Sequence, residues 1–305
     1  MLDWRVILVA VFVSSALYVH YRGTVRHKFA RQLTDHSTLL APINAPIYMF
    51  SAVKNSPYLE RSAFPELDLL KNNWEIIRDE GMALYSDGAI KGAGADPDAG
   101  FHSFFRNGWK RYYLKWYGKP HASAAKTCPK TVELLQSIPG IKAAMFATLP
   151  PGGYLGAHRD PYAGSLRYHL GLVTPNDDRC NIVVDGETYS WRDGEDVIFD
   201  ETYIHHARND SDKNRLILFC DLERPTNNPL ARWYNKFMSK VIMSASATSN
   251  EPGEPVGAIN RLFSFIYPIR LKFKALKKYN RTLYYVVKWV LMGGGLIALF
   301  VLPNL

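Results

Sequence analysis

Cysteine is scarce: Cys128, Cys180 and Cys220 are the three in 305 residues. They are too few and too scattered for a disulfide framework or a zinc knuckle, and they suit a reducing compartment. Acidic residues are outnumbered, 28 against 37 Lys and Arg, for a net charge of +9. That excess favours anionic partners. RNA- and DNA-binding signatures are lacking, as are internal repeats. The basic residues cluster beside apolar segments, which points to an anionic membrane surface and away from nucleic acid. Long uninterrupted apolar runs are lacking too. The first run, Trp4 to about Val19, has roughly 16 residues, short for a span but workable with aromatic and basic anchors. Its charge follows the run and no small-residue cleavage site does, which argues against a secretory leader.

The second run, Leu283 to Leu302, is interrupted by Lys288 and Gly293-Gly294-Gly295. Arg22, Arg26, Lys28 and Arg31 follow the first run, and Arg270, Lys272, Lys274, Lys277, Lys278 and Arg281 precede the second. Positive charge on the inner side of both runs predicts a transmembrane helix near each terminus, a cytoplasmic centre and both termini outside.

Between the runs, Pro42, Pro46 and Pro57 break residues 20–60 into a connecting arm. Leu67, Leu70, Trp74 and Ile77 fall at helical spacing within 65–83. Residues 87–100 read as a Gly/Asp/Ala-rich loop, 101–117 as one or two strands and 130–138 as a short helix. From Ile141 to Asp221 the pattern is short β-type runs separated by Gly, Asp and Pro turns, of which Asp185-Gly186 is the strongest hairpin signal. The expected fold class is mainly β, a double-stranded β-helix or jelly roll with flanking helices. After Pro225, residues 230–243 and 258–278 read as basic amphipathic helices, the second broken near Pro268 and lying on a membrane surface, with a polar linker at 244–255. The expected division is 1–22 as a transmembrane segment, 23–60 as arm, 61–225 as the central domain, 226–281 as amphipathic helices and 282–305 as a second transmembrane segment.

Chemistry concentrates at His158-Arg159-Asp160. In extended chain, residues i and i+2 point the same way, so an imidazole and a carboxylate can reach one metal. A second His from another strand would complete two His and one carboxylate on one face, leaving positions open as in non-haem Fe(II) oxygenases. His205 and His206 are both available; they point oppositely in a strand, and His206 is the weaker candidate. Arg215 opens a strand and suits the distal carboxylate of a 2-oxo acid. Arg167 and His169, again i and i+2, can face the same pocket.

Residues 60–225 resemble the aspartyl/asparaginyl β-hydroxylase family, and within it the membrane-bound bacterial lipid A 2-hydroxylases. The resemblance rests on Phe64-Pro65-Glu66-Leu67, Asn73-Trp74, Ile77-Arg78-Asp79-Glu80-Gly81, Cys128-Pro129-Lys130-Thr131 and Pro151-Gly152. Its most specific part is His158, Arg167-Tyr168-His169-Leu170-Gly171-Leu172, Phe199-Asp200-Glu201, His205, Asn209 and Arg215. It implies Fe(II) on His158 and His205, choosing His205 over His206, and 2-oxoglutarate on Arg167, His169 and Arg215, with O2 as the oxidant. The implied activity is 2-hydroxylation of a lipid A acyl chain at the cytoplasmic face of a bacterial inner membrane. A membrane-tethered peptidyl aspartyl/asparaginyl β-hydroxylase is the alternative. Two departures stand out. Animal members have Gly where this chain has Asp160, so a full triad is expected here. A Ser of those members aligns with Ala147, next to Thr148.

Overall fold

The computed structural model describes residues 3–92, 98 and 100–300, the last six as backbone alone. Part of the expected 87–100 loop and the end of the second apolar run lie outside the described residues.

Nine strands form two antiparallel sheets. They are β1 (Lys110–Trp116), β2 (Ile141–Leu149), β3 (Tyr154–His158), β4 (Ser165–Val173), β5 (Cys180–Val184), β6 (Glu187–Ser190), β7 (Asp196–Phe199), β8 (His205–Asn209) and β9 (Arg215–Glu223). One sheet runs β1-β2-β9-β4-β7 and the other β3-β8-β5-β6. The inner strands β2, β4 and β9 are buried along nearly their whole length. They are covered on both faces and so read as continuous apolar runs. On β2 the alternation is sharp: Met145 and Ala147 join the core shared with Ile182, Val184 and Ala207 of the second sheet, while Ala144 and Phe146 join the core under the helices. Thr148 therefore stands on the helix side, opposite Ala147.

The helix Trp74–Ser86 buries Ile77, Gly81 and Leu84. Gly81 lets the helix pack close, because a Cβ there would meet the Phe146 ring at 3.0 Å and the ring would have to shift. Between β5 and β6, Asp185 and Gly186 take φ of 51° and 93°, the positive values that a two-residue hairpin with matching twist demands.

The expected mainly β jelly roll is not what forms. Helices hold 45% of the chain and strands 22%, and neither sheet closes or curls on itself, so the fold is mixed α and β. The turn-separated strand pattern is present, but residues outside it add more helix than it has strand. Nor do the described residues hold the two expected transmembrane helices. Among the described residues one helix, Trp4–Tyr21, is long and apolar enough to cross a membrane. The helix Arg281–Phe300 carries Arg281 and Lys288, and the side chains of its last six residues lie outside the described part of the chain. The helix Ala258–Tyr279 runs through Pro268 unbroken; a proline removes one backbone donor, and here the ladder continues past it. The 244–255 linker docks on the sheet edge, where the Asn250 side chain accepts from the Tyr113 amide at 2.8 Å and donates to its carbonyl at 2.7 Å.

Residues 20–60 are folded against the strands. Thr24 and Val25 donate their amides to the Asp185 carboxylate. Arg22, just past the apolar helix, and Arg224 both place an Nη2 atom 2.7 Å from Asp200 Oδ2, a carboxylate with no exposed surface. Burial alone would raise the Asp200 carboxyl, but the two guanidiniums outweigh it and hold it far below the ordinary range. Its stabilising effect is therefore complete above the ordinary carboxylate pKa and is lost as pH falls below it. Asp200→Ala would leave two buried cations facing each other. It is expected to cost about 3–5 kcal/mol, read as a large drop in melting temperature. An unchanged melting temperature would show that the triad carries no stability.

Candidate functional site

The site lies between the sheets. β3 and β8 pair so that His158 and His205 are direct cross-strand partners, with ring centroids 4.2 Å apart. Directly opposed side chains on antiparallel strands are the nearest neighbours a sheet provides. Asp160 follows β3 and turns its carboxylate to the same spot, with Oδ1 3.5 Å from His158 Nε2. One ligand atom from each of His158, Asp160 and His205 falls within 4.8 Å of the others. Arg159 points the other way, is buried, and donates to Gln32 Oε1 at 3.1 Å.

Both imidazoles are held in one tautomer. His158 Nδ1 lies 2.7 Å from the Gly156 carbonyl, and His205 Nδ1 lies 3.0 Å from the Tyr203 carbonyl. A carbonyl only accepts, so each Nδ1 carries the proton and each Nε2 keeps its lone pair for a metal. Burial, then the neighbouring His158, lowers the His205 pKa to about 3. His206 is half-buried and points away from this cluster, pairing across to Val183. The chain segment that carries His158 and Asp160 is held from outside by the arm. Arg31 donates to the Ala157 carbonyl, Asn44 donates to the Pro161 carbonyl, and the Ala163 amide donates to Asn44 Oδ1.

One cavity is lined by His158, Asp160, His205, Arg167, His169 and Arg215 together, with Phe104, Trp191, Phe199 and Phe219 among its apolar walls. Arg167 and His169 project from the same face of β4, and Arg215 opens β9. Arg215 is 1% exposed, stacks on Trp191 at 4.4 Å, and has no ion pair among the described residues; its Nε lacks any hydrogen-bond partner. Burial lowers its pKa to about 10. Both ring nitrogens of buried His169 lack partners as well. Burial first, then Arg215 and Arg167, depresses the His169 pKa well below its ordinary value, so the ring is neutral. Buried polar atoms are normally paired, and these face a space that a carboxylate would fill.

Arg167 is different. It pairs with Glu201 and with Asp160 at 2.7 Å, and its Nη1 lies 3.2 Å from Asp221. Burial would raise the Asp160 carboxyl, but Arg167, His205 and His158 hold it low. Burial raises Asp221, which Tyr117 contacts through its hydroxyl at 3.0 Å. Three carboxylates around one guanidinium leave an excess of negative charge beside the two imidazoles, a setting that favours a divalent cation. The sequence reading passed over Asp221 and the aromatic walls; their alternation within strongly apolar strands looks like ordinary core. Glu201 it quoted without assigning a task. Thr148, the neighbouring hydroxyl, is turned away from the cavity, and the Ala147 methyl lies on the cavity side of β2.

The sequence profile of the aspartyl/asparaginyl β-hydroxylases matches residues 71–225. The chain belongs to the aspartyl/asparaginyl β-hydroxylase family. It is 43% identical over 128 residues to an ornithine lipid ester-linked acyl 2-hydroxylase of Rhizobium tropici, covering 42% of this chain and 45% of that one. It is 30% identical over 194 residues to the human aspartyl/asparaginyl beta-hydroxylase, covering 61% of this chain and 25% of that one. Human aspartate beta-hydroxylase domain-containing protein 2 is 27% identical over 210 residues, covering 65% of this chain and 56% of that one. The chain thus spans less than two thirds of each of these relatives. The matched family region contains every residue that lines the cavity with a charge or an imidazole.

Proposed function

We propose that the protein is an Fe(II)- and 2-oxoglutarate-dependent hydroxylase of an acyl chain of a membrane lipid. The observation that carries it is the meeting, in one cavity of a member of this family, of a two-His, one-carboxylate set with an unpaired buried arginine. The donor set fits Fe(II), and the orphaned Arg215 and His169 fit the carboxylate of a 2-oxo acid. His158, Asp160 and His205 would hold the metal. Arg215 and His169 would bind 2-oxoglutarate, and Arg167 would orient Asp160 and close that end of the cavity. Fe(II), when bound, supplies the redox chemistry by which O2 and 2-oxoglutarate turn a C–H bond into C–OH, with succinate and CO2 as co-products. No side chain need act as a general base.

The lipid class is supported by the name of the Rhizobium relative, by the apolar helix Trp4–Tyr21 and by exposed apolar residues on the C-terminal helices. Lipid A, which the sequence resemblance implies, and ornithine lipid are the candidate carriers. Mass spectra of lipid extracts from cells with and without the protein decide. The expected result is a species heavier by one oxygen in an acyl chain; unchanged lipids with a hydroxylated Asp or Asn in a peptide would overturn the lipid reading.

Asp160→Gly is expected to weaken Fe(II) binding by at least about tenfold and to leave turnover that recovers at raised iron, since Arg215 and His169 remain. Unchanged Fe(II) affinity would mean that Asp160 serves Arg167 alone. The basic flank at residues 22–31 orients the N-terminal helix. A reporter inserted in the central domain is expected to read cytoplasmic and one at the N-terminus external; the reverse would refute the placement and remove the 2-oxoglutarate supply.

A further inference from the structure

A second cavity adjoins the first. Asp160, Arg167 and Phe101 line both spaces, so the two share a wall. At that wall the second cavity is polar, with Glu201 and Asp221 beside Arg167; Trp116, Ile242, Met243 and Ile259 also line it, as do Asp98, Tyr162 and Ser246, whose polar atoms are bonded to Arg111 and Tyr113, to Asn235 and to the Met243 carbonyl. Ile242 and Met243 sit in a π-helical turn, Ser239–Met243, a rare geometry that re-aims side chains and recurs at functional sites. The turn is pinned to the sheet by the Trp116 indole, which donates to the Met243 carbonyl at 2.8 Å.

Ile259 lines the cavity and is also 40% exposed, so the cavity reaches the surface there. With Leu262, Ile266 and Ile269, all exposed, it forms a stripe at i, i+3, i+7 and i+10 along the helix Ala258–Tyr279. Such a stripe with Arg261, Arg270, Lys272 and Lys274 nearby suits the boundary of an anionic bilayer.

We propose that this second cavity is the acyl-chain site. The carbonyl end of one chain lies at the shared wall by Asp160 and Arg167, and the tail passes Met243 and Ile242 and leaves at Ile259 into the bilayer. This rests on the reading of the site as a lipid hydroxylase. The cavity joins a charged wall to the apolar side chains of Ile242, Met243 and Ile259, as an ester-linked chain joins a polar end to an apolar tail. The arrangement puts the carbons next to the carbonyl, and not the distal methylenes, against the metal-bearing wall. A peptide fits this half poorly. Each of its residues brings an N–H and a C=O that need partners. The polar atoms of Trp116, Asp98, Tyr162 and Ser246 are already bonded within the protein, and Ile242, Met243 and Ile259 have side chains with nothing to offer.

The test uses the full-length protein in phosphatidylethanolamine and phosphatidylglycerol vesicles carrying a phospholipid with a mid-chain diazirine. Irradiation and peptide mass spectrometry locate the cross-links. Label is expected on Trp116, Ile242 or Met243. Ile259→Trp at the mouth and Ile242→Trp inside are each expected to cut that label by at least about fivefold, because a bulky ring fills space the chain needs. Co(II) binding, followed by its visible absorption, is expected to stay within about twofold in both and so reports an intact fold and metal site. Label confined to Leu262, Ile266 and Ile269, with lipid hydroxylation intact, would overturn the acyl site and leave the proposed function standing. Label in the cavity without any lipid hydroxylation would support the acyl site and overturn the proposed function.

Discussion

His205→Ala is expected to abolish Fe(II) binding and turnover, and His158→Ala to do the same, while His206→Ala keeps both within about twofold. The two ligands occupy opposed positions on β3 and β8, and each has its Nδ1 proton committed to a backbone carbonyl. Removing either leaves a carboxylate and one imidazole, too few donors on the face to hold a divalent ion tightly; losses well beyond a hundredfold are expected, since even outer-shell changes cost about 10–100-fold. His206 sits one residue along, on the opposite face of the same strand, and reaches none of this. Protonation does not compete at His205 until pH nears its lowered pKa of about 3. Since that pKa lies below the unfolded value, burying this imidazole costs stability increasingly as pH falls below the ordinary histidine range. Isothermal titration with Fe(II) under anaerobic conditions checks the ranking. An inactive His206→Ala beside an active His205→Ala would refute the ligand assignment.

Arg215→Met is expected to raise the KM for 2-oxoglutarate by about a hundredfold or more, since truncating one partner of a buried charge pair costs about 2–5 kcal/mol. The same change is expected to stabilise the ligand-free protein. An unpaired guanidinium whose pKa burial has lowered to about 10 carries a penalty of roughly 3 kcal/mol at neutral pH. The sign follows from the depressed value. The penalty is complete below about pH 10 and fades only as pH rises toward the ordinary arginine value. 2-Oxoglutarate cancels it by bringing a carboxylate to the cation. Wild-type protein should therefore gain thermal stability on adding 2-oxoglutarate, and Arg215→Met should start higher and gain little. Arg215→Lys should fall between, because an ammonium keeps the charge but loses the bidentate fork. Equal thermal shifts in wild type and Arg215→Met would show that the carboxylate binds elsewhere.

Much of the candidate site was legible from residue types and spacing. His158 with Asp160, and Arg167 with His169, are pairs at i and i+2, and local extended geometry is enough to align each pair. The Asp185-Gly186 hairpin was legible for the same reason, since two residues with positive φ are a local demand. β3 and β8 were not read as strands. Their residues, Tyr154–His158 and His205–Asn209, are partly exposed or polar and carry no apolar alternation. The fold class was misjudged because strand signals in 141–221 are dense and local, while helices in the flanking segments are stabilised by docking that periodicity does not show. The arm is the clearest case. Its prolines mark breaks, yet Asn44 and Arg31 tie its short helices to the segment that carries His158 and Asp160.

What residue order settled here is the chemistry available: which groups can bind a metal, which cation can meet a carboxylate, and which stretch prefers a lipid phase. What needed the folded chain is pairing at a distance. The register of β3 on β8 sets His205, and not His206, opposite His158; a one-residue slip would turn the other imidazole inward. The closeness of Glu201 and Asp221 committed Arg167 to three carboxylates, and the absence of any such neighbour left Arg215 unpaired among the described residues. Both are long-range electrostatic outcomes. A guanidinium reads the same in sequence whether it is neutralised or waiting, and only the residues that burial brings around it decide between the two.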